Sequence, residues 1–199
     1  MKLSIVIPVY NEEKTLNIIY KKICDVKFPV DLEMIFVDDC SRDKSADIIR
    51  SIEKNDSRVK AIFKPNNSGK GSTLKQGIEQ ASGDIIIVQD ADLEYNPAEI
   101  PALLNLIIEN KADVVYGSRF SSLSSQVGRF YHYLGNKVLT MFSNFCSNIR
   151  LTDMETCYKA FRADIIKNVI IESERFGFEP EITAKVAKLC CSIHELPIS

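Results

Sequence analysis

The sequence has only two histidines, His132 and His194, which stand far apart without ligand spacing and read as bystanders to any metal site. Its six cysteines form no CxxC pair and no regular framework, and they read as reduced thiols in largely apolar surroundings. No apolar run approaches the roughly 18 residues that suggest a membrane span. The apolar run in Met1–Pro8 is too short for a signal peptide. A formal charge of −2 gives no general reason to expect nucleic acid or anionic lipid as a partner. No GxGxxG follows the first strand and no GxxxxGK[ST] occurs anywhere, which weakens dehydrogenase and P-loop readings. The expectation is a soluble, cytoplasmic chain, peripheral to the cytoplasmic membrane face at most.

At 199 residues, 45% hydrophobic and 26% charged, the chain has the size and composition of one domain with a substantial core. Residues 3–9 predict a first strand opening into Tyr10-Asn11, with Asn11 as cap of a helix carrying Leu16, Ile19, Tyr20 and Ile23 on one face. Residues 32–37 predict a second strand that exits at Asp38-Asp39, and Ser41 reads as the next helix cap. A third strand spans 58–63, and the loop Lys64–Gly71 leads into a helix with Leu74 and Ile78. Pro97 opens another helix, and 113–119 reads as a fifth strand with its exit. The alternation predicts an α/β fold with a mostly parallel sheet flanked by helices.

The most informative stretch is Gly83–Glu94. Ile85, Ile86, Ile87 and Val88 predict a strand buried on both faces, and Asp90, Asp92 and Glu94 follow directly. Acids at the carboxyl end of such a strand lie where open α/β sheets bind ligands. Alternation points Asp90 and Asp92 the same way, so both can hold one hard divalent cation. Three polar strand exits, Tyr10-Asn11-Glu12, Asp38-Asp39 and Asp90-Ala91-Asp92, then share one sheet edge across which a nucleotide fits. Gly69-Lys70-Gly71 allows close approach to a ligand and offers a cation to phosphate.

The second half opens with a serine-rich loop, Ser121–Ser125. It continues into a helix over 130–148 whose stripe of Phe130, Leu134, Val138, Phe142 and Phe145 reads as core rather than a membrane-lying face. Residues 151–162 are dense in polar groups. Asp153 is a candidate base there, and Lys159 or Arg162 a candidate phosphate partner.

Together these residues resemble the family 2 glycosyltransferases of GT-A fold, nearest to the polyprenyl-phosphate sugar transferases of the dolichol-phosphate mannose synthase type. The likeness rests on Ile5–Glu12, Val37–Ser41, Asn67–Gly71, Gln89–Glu94, Gly117–Phe120 and Thr152–Arg162. Members commonly read Asp-Asp-Gly-Ser where this chain has Asp38-Asp39-Cys40-Ser41.

The resemblance implies a single catalytic domain over 1–199, with a nucleotide-sugar half (1–119) and an acceptor half (120–199). Pro8, Tyr10, Glu12 and Asp39 would contact the nucleoside, with Gly69, Lys70, Asp90 and Ala91 completing the donor site. Asp90, Asp92 and Glu94 would hold Mg2+ or Mn2+, and Arg119 and Arg129 would lie near the diphosphate or an acceptor phosphate. The implied reaction is inverting transfer from a UDP- or GDP-sugar to a polyprenyl phosphate or, alternatively, to a glycan hydroxyl. Catalysis would fall to Asp92, Arg119 and, for a hydroxyl acceptor, Asp153 as base. A non-catalytic nucleotide-sugar-binding module is the rival from another class. The resemblance also implies a chain that continues past Ile198 in its natural form.

Overall fold

The computed structural model describes residues 1–121, 130–175 and 177–199. Seven strands form one sheet: β1 (Lys2–Val9), β2 (Asp31–Asp38), β3 (Val59–Phe63), β4 (Ile85–Val88), β5 (Val114–Ser118), β6 (Lys159–Arg162) and β7 (Ile193–Pro197). Their spatial order is β3-β2-β1-β4-β6-β5-β7. β1 pairs in parallel with both β2 and β4, β2 with β3, and β5 with β7. β6 runs antiparallel to both its neighbours, β4 and β5, so the mostly parallel sheet has one reversed strand at its middle.

Among the described residues seven α-helices accompany the strands: α1 (Leu16–Cys24), α2 (Ser45–Asn55), α3 (Lys70–Gln80), α4 (Ile100–Ile108), α5 (Phe130–Ser147), α6 (Ala163–Ile166) and α7 (Phe178–Lys188). α3 packs on β1 and β2, and α4 on β5 and β6. β4 is therefore covered, and all four of its aliphatic side chains are buried, as its unbroken apolar run requires. The other edge of the sheet, at the strand beginnings, is fastened by Glu33. Its carboxylate accepts from Ser4 Oγ at 2.6 Å, Ser82 N at 2.9 Å and Lys2 Nζ at 3.2 Å. Burial alone would raise the Glu33 carboxyl, but these donors outweigh it and hold its pKa at about 2.

Two expected helix caps are not caps. Asn11 sits in the left-handed region at φ 59° and its Oδ1 accepts from Arg42 N at 2.8 Å. Ser41 Oγ accepts from Asn11 N at 2.9 Å, so the pair ties the loop after β1 to the loop after β2. α1 begins only at Leu16 and α2 at Ser45. Both residues have the local chemistry of a cap, but here they satisfy another loop's backbone instead.

The aromatic stripe of α5 is the larger correction. Phe130, Leu134, Val138, Phe142 and Phe145 face outward, Phe145 being 85% exposed, while Thr140 and Ser143 are buried. The reason lies in the segment 151–154, whose backbone needs partners. Asn144 Nδ2 donates to Leu151 O at 2.8 Å, and its Oδ1 accepts from Leu151 N at 3.0 Å. Thr140 Oγ1 accepts from Met154 N at 3.1 Å. Asn136, Thr140 and Asn144 share one helical face, and that polar face docks inward. Most of the serine-rich loop, together with Arg129, falls outside the described residues.

Candidate functional site

Because β2, β1 and β4 are parallel neighbours, their carboxyl ends lie side by side. They border a pocket of about 460 Å3 lined by Pro8, Tyr10, Glu12, Asp39, Gly69, Lys70, Asp90, Ala91 and Asp92. Every nucleotide-site residue expected from the sequence therefore meets at one place. Asp39 is held firmly in its wall. Ser68 N donates to Oδ1 at 3.0 Å, Gly69 N to Oδ2 at 2.7 Å, and Lys64 Nζ lies 2.8 Å from Oδ1. Burial works against ionisation of Asp39, but Lys64 and the two backbone donors prevail and lower its pKa.

Lys70, the first residue of α3, reaches Asp90 Oδ2 at 2.9 Å and Glu179 Oε1, on α7, at 3.2 Å. Burial pulls the Lys70 ammonium down, yet the acids around it outweigh that and raise its pKa. Asp92 is exposed, with Oδ1 accepting from Glu94 N at 3.0 Å. Glu94 itself does not join the pair but lines a neighbouring cavity. Among the described residues no three acidic, histidine or cysteine side chains are placed to hold a metal together. Asp90 and Asp92 line this pocket together, while Glu94 lines the neighbouring cavity. Two carboxylates at one strand exit could hold a hard divalent cation, which characteristically leaves remaining positions to phosphate oxygens and water.

The neighbouring cavity, about 1330 Å3, opens between Arg119, Phe120 and the first turns of α5, with His132 and Glu155 also on its wall. Arg119 binds Asp153 through two side-chain contacts, Nε to Oδ2 at 2.7 Å and Nη2 to Oδ1 at 2.9 Å. Arg119 N adds a bond to Oδ2 at 3.2 Å, and Asn136 Nδ2 one to Oδ1 at 3.1 Å. Asp153 is fully buried and both its oxygens are engaged, so it holds Arg119 in place and has no free lone pair aimed into the cavity. Burial would depress the Arg119 guanidinium, but Asp153 more than compensates, and a third of its side chain remains open to solvent.

Lys159 and Arg162, the candidate phosphate partners within 151–162, line neither of these two cavities. Lys159 is buried, bonds to the Thr156 carbonyl oxygen and lies 5.3 Å from the Tyr116 ring centroid. Burial lowers its pKa. Arg162 pairs with Asp164 and lies beside Ile85, at the opposite end of β4 from Asp90.

Comparison with known proteins places this geometry. The family described as glycosyl transferase family 2 matches residues 4–170. The chain belongs to that family. An undecaprenyl-phosphate 4-deoxy-4-formamido-L-arabinose transferase of Photorhabdus laumondii is 31% identical over 190 residues, covering 94% of this chain and 57% of the relative. The protein of that description in Pseudomonas fluorescens is 33% identical over 189 residues, covering 93% and 54%. The chain thus spans little more than half the length of these relatives.

Two solved structures share the GT-A fold at low identity. S. aureus TarS in complex with UDP-GlcNAc superposes with a TM-score of 0.71 at 22% identity, covering 98% of this chain and 56% of the other. Glucosyl-3-phosphoglycerate synthase from Mycobacterium tuberculosis, in complex with Mn2+, UDP and phosphoglyceric acid, gives 0.73 at 18% identity, covering 98% and 68%.

As a family 2 glycosyl transferase, the chain has site features that its motifs did not announce. Glu179 and Arg175 come from far along the sequence, and nothing in their local pattern marks them. Glu155 is half-buried in the second cavity, and its carboxyl is raised first by burial and then by Glu179. Cys157 is buried, and its thiol is pushed well up by burial and by Asp90. Cys157 lies in the hydrophobic core and Cys24 and Cys191 pack against it, while Cys146 and Cys190 are exposed. Cys40 stands at φ 62°, in the left-handed backbone region that favours glycine.

Proposed function

We propose that this family 2 chain is the catalytic part of an inverting glycosyltransferase that moves a sugar from a UDP- or GDP-sugar to a polyprenyl phosphate. The observation that carries this reading is the pairing of two sites: an acid-rich pocket at three strand ends beside a cavity walled by aromatics and Arg119. Residues 1–119 form the donor half in this reading and 120–199 the acceptor half. Tyr10, Pro8, Glu12 and Asp39 flank the nucleoside, while Asp90 and Asp92 hold Mg2+ or Mn2+. When bound, that cation supplies charge neutralisation for the departing diphosphate.

Arg119 receives the acceptor phosphate, and Asp153, by holding its Nε–Nη2 edge, fixes the remaining part of the guanidinium at the cavity wall. An acceptor phosphate oxygen forms the new bond to the anomeric carbon as the bond from that carbon to the nucleoside diphosphate breaks on the opposite face. A phosphate is already an anion, so no side chain need take a proton. The buried, engaged state of Asp153 therefore favours a phosphate over a hydroxyl acceptor.

The exposed face of α5 adjoins the acceptor cavity. The sequence carries no aspartate or glutamate between Asp113 and Asp153, although Lys137 and Arg150 lie there. An aromatic face with local positive charge suits an anionic lipid surface, so peripheral contact with the cytoplasmic membrane face completes the reading. Among the described residues no helix is long and apolar enough to cross a membrane.

The test is to incubate the chain with UDP- and GDP-sugars, Mg2+ or Mn2+, and undecaprenyl phosphate. Acceptor-dependent release of nucleoside diphosphate, with the sugar appearing on lipid phosphate, is the expected result. Donor binding without turnover under any combination would reject catalysis in favour of a binding module.

A further inference from the structure

The glycines at the start of α3 serve a purpose the sequence did not reveal. Residues 173–175 cross directly over them. A Cβ on Gly69 would stand 2.7 Å from both Arg175 Cγ and the Glu174 carbonyl oxygen, and one on Gly71 would overlap the Ser173 carbonyl. Gly71 N donates to Arg175 O at 3.2 Å and Ser72 N to Glu174 O at 3.0 Å. Two of the backbone donors at the α3 N-terminus are thus spent on this crossing segment.

The segment is anchored from behind as well. Glu181 on α7 accepts from Glu172 N at 2.8 Å and Ser173 N at 2.7 Å, while Lys185 Nζ bonds Ile170 O at 2.6 Å and Glu181 at 2.6 Å. Burial opposes the charge on Glu181, but Lys185 and the two amides hold its pKa at about 2. Residues 170–175 are therefore tied to α7 at one end and to α3 at the other, and Arg175 is carried where they meet, on the wall of the donor pocket.

Charge accounting in that pocket singles out this residue. The carboxylates on its wall are Glu12, Asp39, Asp90 and Asp92, and the cations are Lys70 and Arg175. Lys70 is already shared between Asp90 and Glu179, and the nearby Lys64 is bound to Asp39. Arg175 is exposed, and among the described residues its guanidinium has no carboxylate partner. A nucleoside diphosphate brings more negative charge than one divalent cation removes, and a guanidinium fork is the side chain best matched to phosphate oxygens.

Resting on the donor reading above, we propose that Arg175 binds the diphosphate of the nucleotide donor. It is a recognition residue that no motif marks, delivered to the pocket by the Gly69-Lys70-Gly71 crossing. Lys70 then belongs chiefly to Asp90, and the crossing segment supplies the cation that meets phosphate.

The experiment titrates UDP and GDP, and uridine and guanosine alongside them, against wild type, Arg175→Met and Arg175→Lys, with Mg2+ and with chelator. Met keeps the aliphatic stem over Gly69 and removes only the charge, and the melting point of each variant is recorded. The expected result is that Arg175→Met weakens the bound diphosphate about 10- to 100-fold, the range of a charge-assisted bond. Nucleoside affinity and melting point stay at the wild-type level, and Lys restores part of the loss. Unchanged diphosphate affinity in Arg175→Met overturns the proposal while leaving the donor reading intact. Equal losses for nucleoside and diphosphate also overturn it, by showing a base contact or a displaced segment. Wild type that binds neither diphosphate overturns the donor reading, and the proposal with it.

Discussion

Arg119 and Asp153 form a forked pair, with Nε 2.7 Å from Oδ2 and Nη2 2.9 Å from Oδ1, in which the carboxylate is fully buried and the guanidinium partly open. Such a pair is rigid on the carboxylate side and presents its cation on the other. Asp153→Asn leaves Arg119 without its counter-charge in a half-dry place. We expect a stability loss of about 2–4 kcal/mol, below the usual cost of breaking a wholly buried pair because Arg119 retains solvent. Denaturant unfolding measures this. A variant that unfolds like wild type would remove Asp153 as the counter-charge that holds Arg119.

Asp92 is exposed and accepts a hydrogen bond from the backbone amide of Glu94. Asp92→Asn should leave the unfolding free energy within about 0.5 kcal/mol of wild type, as expected for a surface change. Donor turnover should fall to background, and chelator should do the same to wild type. Wild-type rates in this variant would remove Asp92 from the metal site. Glu94→Gln, by contrast, should retain metal-dependent donor binding, because Glu94 faces the other cavity.

Phe142 and Phe145 contribute nothing to the core. Replacing both with Asp should therefore spare stability while weakening adhesion to vesicles of anionic phospholipid. Each buried aromatic ring contributes about 1.5–3 kcal/mol to insertion, so at least a tenfold loss is expected. Vesicle flotation measures it, and equal flotation of variant and wild type would exclude α5 as the lipid-facing element.

Acid stability should report on Glu33. Its carboxyl titrates at about 2 in the folded protein against an ordinary value of 4.5. A folded-state pKa below the unfolded one stabilises the protein above the unfolded value, and that contribution disappears as the pH falls toward the folded value. Unfolding free energy should thus drop between about pH 4.5 and 2, and Glu33→Gln should flatten that limb. Lys2, Ser4 and Ser82 lie at the strand beginnings, away from the site, so donor affinity at neutral pH should not change. An unaltered acid limb in Glu33→Gln would dismiss this account.

The parts of this site legible in the sequence are those where one residue's chemistry and its place on a strand agree. Ile85–Val88 followed by Asp90 and Asp92 is such a case: an unbroken apolar run gives the strand, its exit gives the edge, and parallel pairing brings other exits beside it. Asn11 and Ser41 misled because a capping side chain satisfies any nearby amide, and the amides that mattered belonged to the opposite loop. The α5 stripe misled because periodicity identifies two faces without saying which turns inward. The backbone needs of Leu151 and Met154 decided that. Asp153 was legible as important but not in kind, since its partner lies 34 residues away. Arg175 was invisible because the feature that places it, the crossing over Gly69 and Gly71, is purely a matter of space.

The reversed strand β6 also constrains how the chain reaches this state. β4 and β5 do not pair with each other; each pairs with Lys159–Arg162, a segment that emerges from the ribosome only after both are complete. Until then two apolar strand edges stand open, with the acid pair of β4 mounted on one of them. Joining strands so distant in sequence is entropically slow, and exposed edges during that wait invite association with other chains. The sheet between β4 and β5 is thus closed late in biosynthesis, and substitutions that delay β6 docking should raise aggregation during expression more than they lower the melting point of whatever folds.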